Sequence, residues 1–269
     1  MVIDALVAPF QVLARQRPVI ATFVQREIRT RYVTSALGIG WALIRPLLLL
    51  ILYTFVFSYV LNVKFGSSER RSDYALYLFC GMVPWLAFAD GITRALTAVP
   101  EQAPLVKRMR FPSEILPVHQ VLVALALESL GLVILLAALI LASRAPGWPM
   151  LSLAAIVIPQ FLFTAGVGWA VGALSVLVPD TRQVVSFGLM FWMYATPIVY
   201  PSSLLKEPWR TICGLNPMAG VVEGFRWALL GAHTKPGPLI AVSALMAVFL
   251  LLSGAFYFRR MERTFADLV

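Results

Sequence analysis

Side chains able to do chemistry are few and scattered in this sequence of 269 residues. There are two histidines, His119 and His233, and two cysteines, Cys80 and Cys213. Neither histidine has a partner at ligand spacing and the cysteines form no CxxC, so no metal or redox centre is expected. Two free thiols are the plainer state for Cys80 and Cys213, and a disulfide between them stays open. The chain lacks GxxxxGK[ST], GxSxG and HExxH, the patterns of a nucleotide-hydrolysing loop, an activated serine and a zinc protease. It therefore reads as no enzyme, with no cofactor of its own.

What remains is a set of ionisable residues inside apolar runs: Arg45, Asp90, Arg94 and Glu128. Charges are costly in such surroundings and face a cavity, a partner or a packing contact. Asp90 and Arg94 stand four apart in the order that favours a helical pair. We expect an Arg45–Asp90–Arg94 network near one mouth of the protein, with Arg45 also nearest in depth to Glu128. Helix-packing glue is the plainer role for all four, and no chain of acids and histidines suggests a proton relay. Aromatics make up 12% of the chain. Tyr53, Phe57, Tyr59, Tyr77, Trp85 and Phe88 fall in its first two apolar runs, where they read as an interfacial belt or as a surface for the flat C–H faces of sugar rings.

The elements that must position these residues are membrane spans. Hydrophobic residues are 60% of the chain and charged residues only 13%, against about 25% charged in a soluble domain. The mean hydropathy is +0.83. Apolar runs long enough to cross a hydrocarbon layer of about 30 Å recur. They predict an all-α membrane protein with six spans, at 37–61, 74–98, 116–142, 149–178, 183–200 and 239–258. Residues 1–36 read as a cytoplasmic tail with an amphipathic interface helix, and 37–269 as the transmembrane domain. The N-terminus opens on an acid and has no small-residue cleavage site, unlike a signal peptide.

Lys and Arg number twelve on the side of the termini and of the 99–115 and 179–182 loops, and eight on the other. The positive-inside rule then places both termini in the cytoplasm. The net charge of +9 reads as that same basic excess rather than as a nucleic-acid surface.

Three segments between the spans carry further signal. In 19–32, Ile20, Phe23, Val24, Ile28 and Tyr32 share one helical face, with Gln25, Arg26, Arg29 and Thr30 opposite. Such a helix lies in the membrane interface, as a lipid anchor or as a contact for a cytoplasmic partner. The loop 100–112 brackets Leu105–Phe111 between prolines; it is a solvated basic loop or a docking element that uses Leu105, Val106, Met109 and Phe111. The long, apolar segment 201–238 predicts one or two re-entrant or outer-face helices. One of them starts at Asn216-Pro217, a cap followed by proline at the first helical position.

In this order, Arg26-Glu-Ile-Arg-Thr-Arg-Tyr32, Ser35-Ala-Leu-Gly-Ile-Gly-Trp41, Arg45-Pro46-Leu, Tyr53-Thr-Phe-Val-Phe57, Gly81-Met-Val-Pro-Trp85, Leu105-Val-Lys-Arg-Met-Arg-Phe-Pro112, Thr196-Pro-Ile-Val-Tyr200 and Leu215-Asn-Pro-Met218 resemble the permease subunits of type-2 ABC exporters of surface polysaccharide. That family includes O-antigen, teichoic-acid and capsule exporters. The resemblance implies a homodimer working with two copies of a separate ATPase subunit, which would hold the ATP and Mg. It also implies a lipid-linked polysaccharide as cargo and the bacterial inner membrane as location. Carried over, Arg26, Arg29 and Arg31 with Leu105, Val106, Lys107, Arg108, Met109, Arg110 and Phe111 would couple to the ATPase. Pro197, Tyr200, Asn216 and Pro217 would belong to an outer gate, and the aromatics above to the channel. Two other readings stand beside it: a type-2 ABC permease for a drug or lipid, and a membrane-embedded glycan- or lipid-modifying enzyme using Glu128 or Asp90.

Overall fold

Long apolar runs, interrupted by proline and glycine, divide this chain into helices. The computed structural model describes residues 2–33, 37–60, 72–104, 111–144, 147–231 and 236–268. Its helices are α1 (Val2–Arg15), α2 (Arg17–Val33), α3 (Trp41–Tyr53), α4 (Ser72–Ala98), α5 (Ile115–Leu141), α6 (Leu153–Leu177), α7 (Thr181–Ala195), α8 (Trp209–Gly214), α9 (Pro217–Leu230) and α10 (Gly237–Leu268). A π-helical segment, Thr54–Val60, prolongs α3. A 3-10 turn, Trp148–Ser152, leads into α6. Among the described residues there is no strand.

Among the described residues, four segments are long and apolar enough to cross a membrane: Tyr74–Ala98, Ile115–Leu141, Trp148–Leu177 and Gly237–Glu262. They coincide with four of the six expected spans. The described parts of the other two fall short. Trp41–Phe57 is apolar but shorter, and α7 has 15 residues, a rise of about 22 Å. The expected span 183–200 stops at Ala195 for a local reason. Pro197 biases the residue before it away from helix, and Thr196 is extended, with φ −96° and ψ 139°.

Both ends of the chain hold more helix than the sequence suggests. α10 continues past 258 because its last turns have an inward face: Phe258 and Phe265 are fully buried and meet edge to face at 5.3 Å. At the other terminus α1 packs on α10, and Phe10 meets the Trp169 ring of α6 at 5.9 Å. In α2, Ile20 is buried and Phe23, Val24 and Ile28 half-buried, while Gln25, Arg26, Arg29 and Thr30 are exposed.

α4 is the central element, touching α5, α6 and α9. Glycines set how closely its neighbours approach. A Cβ on Gly172 would stand 2.9 Å from the Ala95 carbonyl oxygen of α4, so Gly168-x-x-x-Gly172 is a close-packing face. The backbones of α6 and α10 touch where Gly166 meets Gly254, and neither position has room for a side chain.

Candidate transport site

At the end of the bundle where α4 finishes and α5 begins, Asp90 is the centre of an ion cluster. Arg31 of α2 donates to both of its oxygens at 3.1 Å. Arg94, one turn along α4, donates through Nε at 3.0 and 3.1 Å. Glu27 lies 3.8 Å from Arg94. The expected helical pair is present, but the third member is Arg31 and not Arg45. α2 packs on α5 and carries Arg31 to Asp90. Arg31, expected to face an ATPase, is thereby engaged inside the protein, whereas Arg26 and Arg29 are exposed.

Arg45 is exposed instead and lines a cavity of about 330 Å³ together with Arg31, Trp41, Asp90 and Glu128. Glu128, expected to find Arg45, accepts a hydrogen bond from Gln160 Nε2 of α6 at 3.0 Å. Gln160 also donates to the Pro84 carbonyl at 3.1 Å, so one amide joins α4, α5 and α6. Asp90 is thus held by two arginines, with Glu27 also in its cluster, and Glu128 is tied to an amide.

Of the coupling residues, Leu105, Val106, Lys107, Arg108, Met109 and Arg110 lie outside the described residues. The chain from Phe111 onward is firmly seated. Phe111 packs on Phe23 of α2 at 5.6 Å. Glu114 is buried and accepts from Arg259 of α10 at 2.6 Å, and Arg259 also donates to Glu262 at 2.7 Å. Ser113 donates to Glu262 at 2.6 Å, and Trp169 Nε1 donates to the Glu114 carbonyl at 3.0 Å. Burial pushes the Glu114 carboxyl above the usual carboxylate range, and Glu262 pushes the same way against Arg259. Residues 111–114 thus seat on a platform built from α2, α5, α6 and α10.

The six aromatic candidates separate into three settings. Trp85 and Phe88 are core residues. Phe88 stacks on Phe163 at 5.0 Å and takes Trp192 of α7 edge-on at 5.3 Å, so neither presents an open face in this conformation. Tyr53, Phe57 and Tyr77 belong to a ladder with Tyr74: Tyr53 to Phe57 is 6.4 Å, Phe57 to Tyr74 5.1 Å and Tyr74 to Tyr77 6.2 Å. Tyr59 is 62% exposed.

At the opposite end of the bundle the turn 196–200 is pinned from several sides. Arg226 of α9, 2% exposed, donates to the Pro197 carbonyl at 2.6 Å and to the Ile198 carbonyl at 2.7 Å. Tyr74 donates to the Val199 carbonyl, and Tyr200 donates to the Tyr194 carbonyl at 3.0 Å. Asn216 caps α9 as its sequence predicts, accepting from Met218 N at 3.0 Å. It also accepts from Trp192 Nε1 at 3.0 Å and donates to Thr196 Oγ1 at 2.9 Å. α9 is a short helix buried on nearly all sides. Cys80 and Cys213 are free thiols, both buried.

Residues 18–230 match the family model described as ABC-2 type transporter. The chain belongs to that family. The chain is 28% identical over 254 residues to an O-antigen export system permease protein RfbA of Myxococcus xanthus, covering 93% of this chain and 95% of the relative. A Klebsiella pneumoniae protein of the same name is 25% identical over 251 residues, covering 93% and 94%. The polysialic acid transport protein KpsM of Escherichia coli is 22% identical over 253 residues, covering 92% and 95%.

In this ABC-2 transporter chain, three structural anchors escape a reading by sequence: Arg226, Gln160 and Glu114. Arg226 counts there only as a positive charge outside the spans, yet it sits midway along an apolar helix too short to cross, which is itself a signal of a buried partner. Gln160 and Glu128 are polar residues deep in two apolar runs, and each needs a partner at that depth. Glu114 gives no comparable signal, because it stands in a loop where acids are ordinary.

Proposed function

We propose that this ABC-2 permease forms the membrane channel of an ATP-driven exporter of a lipid-linked surface polysaccharide, of the O-antigen kind. The observation that carries the reading is the similarity, over more than nine-tenths of both chains, to proteins named as O-antigen export permeases. It works as a homodimer in the bacterial inner membrane with two ATPase subunits that hold the ATP and Mg. Its six spans include the two shorter ones at α3 and α7, both termini are cytoplasmic, and the cluster around Asp90 lies at the cytoplasmic end. The exposed arginines of α2 and the loop 105–111 meet the ATPase, and the pinned turn with α8 and α9 forms the outer gate. The exposed apolar residues of α3 and α7, among them Leu48, Phe55, Phe187 and Phe191, suit lipid and a second copy of the chain.

Deletion of the gene in its native cell tests this reading. The expected outcome is loss of long-chain surface glycan, with lipid-linked polymer accumulating inside, both restored by the intact gene. Unchanged surface glycan with altered drug or lipid efflux would assign another cargo to the same fold.

A further inference from the structure

Ser113 and Glu114, each 1% exposed, stand just before α5 and are held by residues remote in sequence. Arg259 of α10 donates through Nη1 to Glu114 Oε1 at 2.6 Å, and through the same nitrogen to Glu262 Oε2 at 2.7 Å. Ser113 donates to Glu262 Oε1 at 2.6 Å, and Trp169 of α6 donates to the Glu114 carbonyl at 3.0 Å. The end of α10 is itself packed: Phe258 and Phe265 are buried, and α1 lies against α10.

Burying the Glu114 carboxyl costs desolvation that an apolar side chain would avoid, so stability alone does not account for it. The bonding is also incomplete. A guanidinium offers five donors in a fork that can hold both oxygens of one carboxylate. Here a single nitrogen serves two carboxylates, and the buried Glu114 Oε2 has no hydrogen-bond partner. A second arrangement is therefore within reach: a small shift of α10 along residues 113–114 would let the fork close on both Glu114 oxygens. Contacts with two discrete arrangements convert small displacements into changes of state. We infer that Glu114 and Arg259 are positioning residues for transport, a joint of two arrangements through which displacement of residues 111–114 during the ATPase cycle moves α10. The inference rests on the exporter reading and deepens it, since residues 111–114 continue the loop assigned there to the ATPase.

The test uses the full-length chain with the ATPase that copurifies with it from its native cell, and surface glycan in cells carrying each variant in place of the wild-type gene. Arg259→Lys keeps one nitrogen between two carboxylates but cannot form the fork. Glu114→Gln keeps one acceptor oxygen but not two. Both are expected to leave thermal unfolding, assembly with the ATPase and basal ATP hydrolysis near wild type. At equal permease level, surface glycan should nevertheless fall roughly fivefold, within the range of coupling changes made at positions that touch neither ligand. Arg259→Met removes both arrangements and is expected to lower thermal stability and surface glycan together. Wild-type glycan in Arg259→Lys and Glu114→Gln overturns the inference. So does glycan that falls only in step with thermal stability across the three variants, which would mark a static brace. Failure of the exporter reading shows in the wild type instead, as surface glycan unchanged by gene deletion or as no copurifying ATPase.

Discussion

The guanidinium carbon of Arg226 lies 3.5 Å from the centroid of the Tyr77 ring. A cation on the short helix α9 is thus seated on an aromatic of the central helix α4 while its nitrogens hold the turn after α7. Glu223, 3.1 Å away, completes the charge balance. Desolvated cation–π contacts contribute about 2 kcal/mol.

Replacing Arg226 with Met therefore removes the donor of the Pro197 and Ile198 carbonyls and leaves Glu223 with the long 3.4 Å contact from Ser202. Removing one partner of a buried pair costs about 3–5 kcal/mol. Thermal unfolding in detergent is expected to show a loss of that size, with Arg226→Lys intermediate, because lysine keeps the charge but cannot span two carbonyls. Equal stability of Arg226→Met and wild type would show that the pin contributes nothing.

Gly254 and Gly188 make a contrasting pair. A side chain at Gly254 would run into the Gly166 backbone, whereas Gly188 on α7 has open space. Gly254→Val should separate α6 from α10 and cost at least the roughly 1–3 kcal/mol typical of overpacking. Gly188→Ala should be neutral or stabilising by about 1 kcal/mol from helix propensity. Disulfide cross-linking between cysteines placed on α6 and α10 would read the separation directly.

Asp90 distinguishes two arginines. A double-mutant cycle of Arg31→Ala with Asp90→Asn should give a coupling of about 1 kcal/mol, in the range of partly exposed ion pairs. The same cycle with Arg45→Ala should be additive within about 0.5 kcal/mol. Coupling to Arg45 in place of Arg31 would contradict the observed contacts.

Phe111 packs on the Phe23 ring of α2. Changing Phe111 and Arg108 to Ala should abolish stimulation of the partner's ATPase by glycan, while the permease still folds and reaches the membrane. Unimpaired stimulation and export would remove the docking role.

The helical content, four crossing segments and several boundaries could be read from the chain, because each depends on neighbours within a few residues. Asn216-Pro217 caps α9 from its own side chain, Pro197 ends α7 through the residue before it, and Asp90 finds Arg94 one turn away. Periodicity also divides α2 into its buried and exposed faces. The interior of the site depends on more than that. Whether Asp90 meets Arg31 or Arg45, and whether Trp85 and Phe88 face a channel or Phe163 and Trp192, depends on how each helix is rotated and tilted against the others.

The sequence by itself determined four segments apolar enough to cross and where caps and prolines stop helices, since those features come from local backbone chemistry. The tertiary structure alone decided the partners. Close approach at Gly166, Gly172 and Gly254 sets α6 against α4 and α10, and packing between helices brings Arg226 to the turn, Arg31 to Asp90 and Gln160 to Glu128. Among the described residues Arg45 and one oxygen of Glu128 have no partner, because polar groups in apolar helices pair only with what packing brings within about 3 Å.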